Sequence, residues 1–537
     1  MKIRKTKLRK KLLNAFGQIK SDSFSFELIE SYFRKKEKDE AFQVLTDKTC
    51  HDLDFQELFM FVDRTTSRVG QQYLFQKLRT IPGADPNTQL NEDLIDRFTN
   101  DVEYRLICQE ILSNLTDKEA YHITSLFQDE HICPPKWLWV ARILSATSLM
   151  SLILVFFDPV LVFVLFGAFI INFAIHYWNK RNLTPYIASI PQLLKLNRAA
   201  KELLKNELLN AIDSNLDESI SVLDKVRNRM SFFKLEAKLQ GDMEAVAWGI
   251  LELIKILFIL EPLLLFSVLN QLDTKRKEIE KVFSFVGQVD VLLSIASLRK
   301  GLDSYCKPVI ISEYQKFTAI EVYHPLILEC VKNSIEMNGK SVLLTGSNMS
   351  GKTSFIRTIG LNVLTGLTLN TCFARQLVMP RTKVFSAIRI SDDLMNDKSY
   401  YFEEVLTIKE MLDHSLSDHS NLFLLDEIFK GTNTVERISA GKAVLSALTK
   451  ANNLVFVSTH DIELADLLSD EYELYHFSET VNHQTVDFDY KLKAGKLKNR
   501  NAIRILQLNG YPDEIIEEAM VLSAHLDRGF MKQYDNN

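Results

Sequence analysis

Residues 344–358 read Leu-Thr-Gly-Ser-Asn-Met-Ser-Gly-Lys-Thr-Ser-Phe-Ile-Arg-Thr, and Gly346, Gly351, Lys352 and Thr353 fill every fixed position of the phosphate-loop pattern G-x-x-x-x-G-K-[ST]. An apolar strand, Ser341 to Thr345, leads into this glycine-rich turn, and a helix follows it. That order aims backbone N–H groups and a helix N-terminus at phosphate oxygens. Ser347, Asn348, Met349, Ser350 and Ser354 complete the cradle around the glycines. Lys352 brings a point charge to the β- and γ-phosphates, and Thr353 offers a hydroxyl to Mg2+. The pattern therefore predicts a site for ATP and Mg2+.

A second motif set follows in the right order. Asn421 to Glu427, Asn-Leu-Phe-Leu-Leu-Asp-Glu, is an apolar run ending in two acids, the form of a buried central strand that delivers carboxylates to the ligand-binding edge of an open α/β sheet. Asp426 is placed to hold the Mg2+ shell and Glu427 to polarise the attacking water. Another apolar strand, Asn453 to Ser458, ends at Thr459-His460-Asp461, which sets His460 where it senses the γ-phosphate.

These residues carry a family resemblance. Leu424 to Thr434, Leu-Leu-Asp-Glu-Ile-Phe-Lys-Gly-Thr-Asn-Thr, resembles the acidic strand and following loop of the MutS mismatch-repair ATPases, an ABC-type group. Gly-Ser-Asn-Met-Ser-Gly-Lys-Thr resembles the MutS phosphate loop, which implies a γ-phosphate contact for Asn348. Ser391-Asp392-Asp393-Leu394, with Ser399 and Glu404, resembles the segment that reaches the partner's nucleotide across a dimer, with Ser399 at the matching serine. Val322 to Leu326 resembles the element that opens the family's ATPase domain, with Tyr323 in place of the usual arginine, and Asp52 to Pro82 resembles the start of its helical core. The resemblance implies a homodimer and, by analogy alone, DNA as a partner. Two family features are absent: a mismatch-reading domain, for which only about fifty residues precede the core, and the adenine-stacking aromatic expected between Leu326 and Gly339. Phe24-Ser25-Phe26-Glu27 matches the family's Phe-x-Glu wedge in spelling only.

From Trp137 to Trp178 the chain is nearly all apolar, broken at Asp158-Pro159 into two runs of about twenty residues, the length a bilayer span requires. Trp137, Trp139, Tyr177 and Trp178 stand at the outer ends as interfacial anchors. Lys136, Arg142, Lys180 and Arg181 flank the runs, so the positive-inside rule predicts a transmembrane hairpin with both termini and the ATPase domain cytoplasmic, in a bacterial-type inner membrane. A third apolar stretch, Ile250 to Leu269, carries Glu252, Lys255, Glu261 and Pro262 and reads as a core helix of the helical domain, with a membrane segment as the alternative.

The chain has 537 residues and a net charge of -5, too mild to announce a nucleic-acid binder. Its six cysteines lack C-x-x-C spacing, so they suggest neither a zinc site nor a disulfide framework. Met1 to Lys20 is basic but has no central apolar region, unlike a secretory signal. The expected organisation is a charged lead-in at 1–50, a helical core at 51–135, the hairpin at 136–181, the rest of the core at 182–307, an α/β P-loop ATPase domain of ABC type at 308–525, and a disordered tail at 526–537. The expected function is a membrane-anchored, MutS-like, Mg2+-dependent ATPase acting on DNA or DNA-repair partners. The alternative is a membrane-directed remodelling or signalling ATPase without DNA binding.

Overall fold

The computed structural model describes all residues except 1, 84–87, 132–133, 137, 227–229, 231–244, 348, 390–399, 482–485, 498–501 and 535–537. The chain divides into two compact units. The first, helical unit comprises Met1–Asp39, Val62–Arg79 and Ala84–Leu302; the second comprises Glu40–Phe61, Thr80–Gly83 and Asp303–Asn537.

The centre of the helical unit is Arg276–Gly301, a 26-residue helix that buries Val282, Phe283, Val286, Val289, Leu293 and Leu298. Helix Arg68–Arg79 packs along it. Gly70 makes this approach possible, because a Cβ there would lie 2.2 Å from a carboxylate oxygen of Asp290. The same Asp290 accepts from the Thr66 and Ser67 N–H groups at 2.8 and 2.7 Å, so one buried carboxylate caps the start of the neighbouring helix.

The apolar run beyond Trp137 forms helix Leu138–Leu154, of 17 residues, and the start of Leu161–Leu203, a single helix of 43 residues. Their apolar parts, Leu138–Leu154 and Leu161–Tyr177, are both shorter than the two spans of about twenty residues expected from composition. Among the described residues, the one helix long and apolar enough to cross a bilayer is Arg276–Gly301, and 83% of its most apolar window is buried in this unit, so it serves as a core helix.

The polarity of the hairpin is inverted. Phe156 and Phe157 are 86% and 83% exposed, Phe163 is 75% exposed, and Ile143, Ile153 and Phe166 are also exposed. The buried residues of the same helices are Ala141, Ser148, Ser151, Ala168, Asn172 and His176. Farther along the second helix the order returns to normal, with Ile190, Leu193, Leu196 and Leu203 buried and Arg198, Lys201 and Glu202 exposed. The third apolar stretch is two helices, Ala245–Phe258 and Leu260–Asp273, separated by Ile259 in a left-handed conformation (φ 48°).

The second unit is a mixed α/β domain. Its main sheet runs in the order 493–494, 472–476, 341–345, 453–459, 420–426, 382–387, parallel except for the short edge strand 493–494. The three central strands are almost wholly buried, which is why their sequences are continuous apolar runs rather than alternating ones. Helix Lys352–Leu369 packs against this sheet, and Gly360 lets it approach Leu424 and Leu53. A second sheet has the order 309–311, 376–380, 316–322, 333–338.

Residues 40–61 and 80–83 belong to this unit and finish its exposed edge. Gln43 donates to the Val384 carbonyl and accepts from the Val384 N–H, both at 2.7 Å, as a strand neighbour would. Asp52, fully buried, accepts from Ser386 Oγ at 2.7 Å and from the backbone N–H groups of Ile388 and Arg389 at 3.1 and 2.8 Å. At the C-terminus, helix Asp513–Tyr534 runs through most of the stretch expected to be a disordered tail.

Candidate functional site

Strand Ser341–Thr345 ends at Gly346, and helix Lys352–Leu369 begins directly after Gly351. Between them the chain needs conformations that a side chain would resist. Gly351 has φ 105°, and a Cβ on Gly346 would lie 2.8 Å from both the Phe477 carbonyl oxygen and Ser350 Oγ. Met349 follows the same loop curvature at φ 69°, with its side chain 83% exposed at the mouth of the site.

Lys352 is buried, and its Nζ donates to the carbonyl oxygens of Gly346 and Ser347 at 2.7 and 2.8 Å. Burial lowers its pKa, the nearby Glu427 and Asp426 carboxylates opposing that shift. Among the described residues, Ser350 Oγ is buried without a hydrogen-bond partner, an open valence inside the loop. Ser347 Oγ donates to Glu479 at 2.7 Å, and Ser354 stands on the first helical turn. The loop thus offers one cation, one unmatched hydroxyl and a helix N-terminus to a common space, the donor set that a polyphosphate requires.

The acidic strand meets this loop from the side. Strands 420–426 and 453–459 are parallel neighbours, with Asp426 paired to Ser458 in register. Thr353 Oγ1 donates to Asp426 Oδ2 at 2.7 Å, and Ser458 Oγ donates to the other oxygen of the same carboxylate. Thr353 and Asp426 therefore form an all-oxygen pair of hard donors, the chemistry that Mg2+ accepts when water and phosphate complete its shell.

Glu427 is the first residue beyond the strand. It takes a left-handed conformation (φ 52°), with its N–H bonded to the Ser458 carbonyl at 2.9 Å, and Phe429 repeats the conformation at φ 59°. The Glu427 carboxylate lies 3.5 Å from His460 Nδ1 and 2.8 Å from Lys430 Nζ. The hydrogen bond from His460, aided by Lys430, holds its pKa at about 2, while Glu427 in turn raises the pKa of His460. His460 is followed by Asp461, whose carboxylate is gripped by Arg437 through two bonds of 2.9 and 2.8 Å.

A cavity of about 610 Å³ is lined by Lys352, Thr353, Ser354 and Glu427 on one side and by Tyr323, His324 and Tyr490 on another. The structure thus brings Gly346, Ser347, Met349, Ser350, Gly351, Lys352, Thr353, Ser354, Asp426, Glu427 and His460 together. Asn348 and Ser399 lie outside the described residues. Glu404, grouped with Ser399 on sequence, is 1% exposed and accepts from the Phe429 N–H, so it serves the loop after Glu427 in its own chain.

Tyr490 was not anticipated. Its ring passes 3.2 Å from where a Gly351 Cβ would be, and its carbonyl accepts from Asn333 Nδ2 at 3.0 Å. The strand pair 479–481 and 486–488 delivers it to the site. The available signal was the β-hairpin pattern after His476, which reads as a plain edge element when taken alone. Burial lowers the pKa of His324 to about 4, leaving a neutral imidazole at this wall.

Residues 342–527 match the family model for MutS domain V. A DNA mismatch repair protein MutS from Petrotoga mobilis is 31% identical over 48% of this chain and 33% of its own length. The MutS from Aquifex pyrophilus is 29% identical over 47% of this chain and 30% of its own. A DNA mismatch repair protein MSH3 from Kluyveromyces lactis is 30% identical over 48% of this chain and 26% of its own. The matched segment is thus about a third or less of each of these relatives.

Proposed function

We propose that this chain, whose residues 342–527 match the family model for MutS domain V, is a membrane-anchored ATPase working as a homodimer on DNA or DNA-repair partners. The observation that carries the ATPase reading is the junction of the two motif sets, the Thr353–Asp426 bond of 2.7 Å at the edge of the cavity that Lys352 and Glu427 share. Lys352 exchanges the Gly346 and Ser347 carbonyls for phosphate oxygens, and Ser350 and the loop N–H groups add donors. Thr353 and Asp426 hold Mg2+, which supplies Lewis acidity to the phosphates when bound. Glu427, ionised at any working pH, orients and polarises water, and His460 beside it senses the γ-phosphate. Asn348 adds a γ-phosphate contact, and Ser399 of the partner subunit completes the site. Tyr490 supplies the aromatic face that the segment from Ile327 to Asn338 lacks.

The test is a pair of variants in the full chain. Glu427→Gln retains ATP binding and loses turnover, whereas Lys352→Ala loses binding; normal turnover by Glu427→Gln removes the assignment of Glu427.

Membrane anchoring is supported by the inverted hairpin, which presents Phe156, Phe157 and Phe163 outward and keeps serine, asparagine and histidine inside. In this reading the chain is multi-pass in an inner membrane with both termini and the ATPase domain cytoplasmic. The same hairpin favours a second reading, a membrane-directed ATPase that does not use DNA. Duplex binding separates the two: a steep loss of affinity with added salt marks phosphate contacts and the first reading. Hydrolysis indifferent to homoduplex, mismatched and branched DNA supports the second.

A further inference from the structure

Helix Ala245–Phe258 packs against both hairpin helices and repeats their inverted polarity. Ile250 and Leu253 are each 55% exposed and Ile254 is 40% exposed, while Lys255, one residue on, is 1% exposed. In water this arrangement is doubly unfavourable, since it leaves aliphatic surface wet and removes an ammonium from solvent. In hydrocarbon the preferences reverse: aliphatic groups face outward, and each charge must find partners inside the bundle.

Those partners are present. Lys255 Nζ lies 2.7 Å from Glu252 and 3.1 Å from Glu261, and His176 on the second hairpin helix lies 3.5 Å from Glu252 and 3.8 Å from Glu261. One helical turn before His176, Asn172 donates to the Leu257 carbonyl at 2.7 Å and to Ser148 Oγ at 3.1 Å. Leu257 is in the last turn of its helix, where carbonyls have no intrahelical partner. One asparagine therefore answers that backbone group and ties all three helices together. At Ile259 the chain breaks its helix, and Leu260–Asp273 buries Leu265, Phe266, Leu269 and Leu272 in the ordinary way. Among the described residues, the exposed aliphatic face belongs to Ala245–Phe258 and the hairpin.

We propose that Ala245–Phe258 is a third lipid-facing helix, its surface of Ile250, Leu253 and Ile254 packed against acyl chains, and that the His176–Glu252–Lys255–Glu261 cluster fastens it to the hairpin from within. This rests on the membrane reading of the hairpin and extends it to a segment whose charges favour, on composition, a core helix over a membrane segment. Lipid is the occupant because the exposed surface of this helix continues that of the hairpin and has the same aliphatic character.

The test uses the full-length protein in phosphatidylcholine–phosphatidylglycerol vesicles, with a photo-crosslinking benzoylphenylalanine at Phe163, at Leu253, or at Ile107, an exposed apolar residue elsewhere in the helical unit. Lipid adducts are expected at Phe163 and Leu253 in similar yield, about ten-fold above Ile107. Adducts at Phe163 alone overturn the inference and leave the hairpin reading standing; adducts at neither overturn both. A protein adduct at Leu253 also overturns it, since a partner chain then covers this face. For the cluster, Lys255→Leu is expected to cut the Leu253 lipid adduct several-fold, and adding Glu261→Gln to restore it. Wild-type yield in Lys255→Leu shows that the cluster does not hold the helix and refutes that half of the proposal.

Discussion

Removing the carboxylate of Glu404 should impair turnover without impairing nucleotide binding. The side chain is buried beneath the loop that follows Glu427 and accepts the Phe429 N–H. That loop holds two non-glycine residues at positive φ, Glu427 and Phe429, each at a typical strain of about 1–3 kcal/mol. Glu404→Ala leaves a buried N–H without an acceptor, about 1–3 kcal/mol, which the loop escapes by relaxing toward ordinary backbone angles. The Glu427 carboxylate then leaves its place beside Lys352. If about 2 kcal/mol of this appears in the barrier, kcat falls roughly 30-fold. Burial raises the pKa of Glu404, so the neutral isostere is a fair replacement, and Glu404→Gln, which keeps an acceptor oxygen, should retain most activity. The assay is steady-state ATP hydrolysis beside equilibrium binding of a fluorescent ATP analogue. The reasoning is refuted if Glu404→Ala turns over normally, if its affinity falls in step with kcat, or if the Gln and Ala variants are equally impaired.

Four further outcomes follow from the structure. Because His460 is the main cause of the low pKa of Glu427, His460→Ala should raise that pKa and move the acid limb of kcat to higher pH; an unmoved limb contradicts the pairing. In the folded protein His460 has the raised pKa, so its contribution to stability is complete below the ordinary histidine value and disappears as pH rises through the raised one. Thermal melts of wild type should show that alkaline loss and melts of His460→Ala should not. Asp52→Ala strands three donors on the sheet edge, about 2–4 kcal/mol, and should lower Tm by roughly 5–15 °C, with a smaller loss in Asp52→Asn. Tyr490→Ala should raise KM for ATP roughly 10-fold with little change in kcat, from the loss of one base-stacking face, and Tyr490→Phe should behave as wild type.

The phosphate loop and the acidic strand were legible because their chemistry is local: Gly346 to Thr353 is one turn, and Leu422 to Glu427 is one strand with its end. What joins them was not, since the Thr353–Asp426 and Glu427–His460 contacts depend on which strands become neighbours. Tyr490 escaped notice for the same reason: its value comes from lying across Gly351, far away in sequence. Asp52 and Gln43 carry no motif, yet they finish an edge strand more than three hundred residues later. Hydropathy located the run from Trp137 to Trp178 but overstated the length of its apolar helical parts, and it had no means of reporting direction. The charges in Ile250 to Leu269 argued for a core helix, whereas the structure turns Lys255 inward and Leu253 outward. A count of charges cannot distinguish a polar exterior from a polar interior.

Helix Leu161–Leu203 has a mechanical consequence. An unbroken α-helix of 43 residues is a strut about 64 Å long, with no kink available unless backbone bonds are broken. Its far half is gripped by packed leucines and isoleucines, and its near half carries the inverted surface, so neither end can tilt alone. A rotation of about 5° at the gripped end sweeps the other through roughly 5 Å, about one turn of helix, and in doing so drags His176 and Asn172 with everything bonded to them. Sub-ångström adjustments around the leucine-rich end would thus be read out at the other end as a displacement the size of a helical pitch.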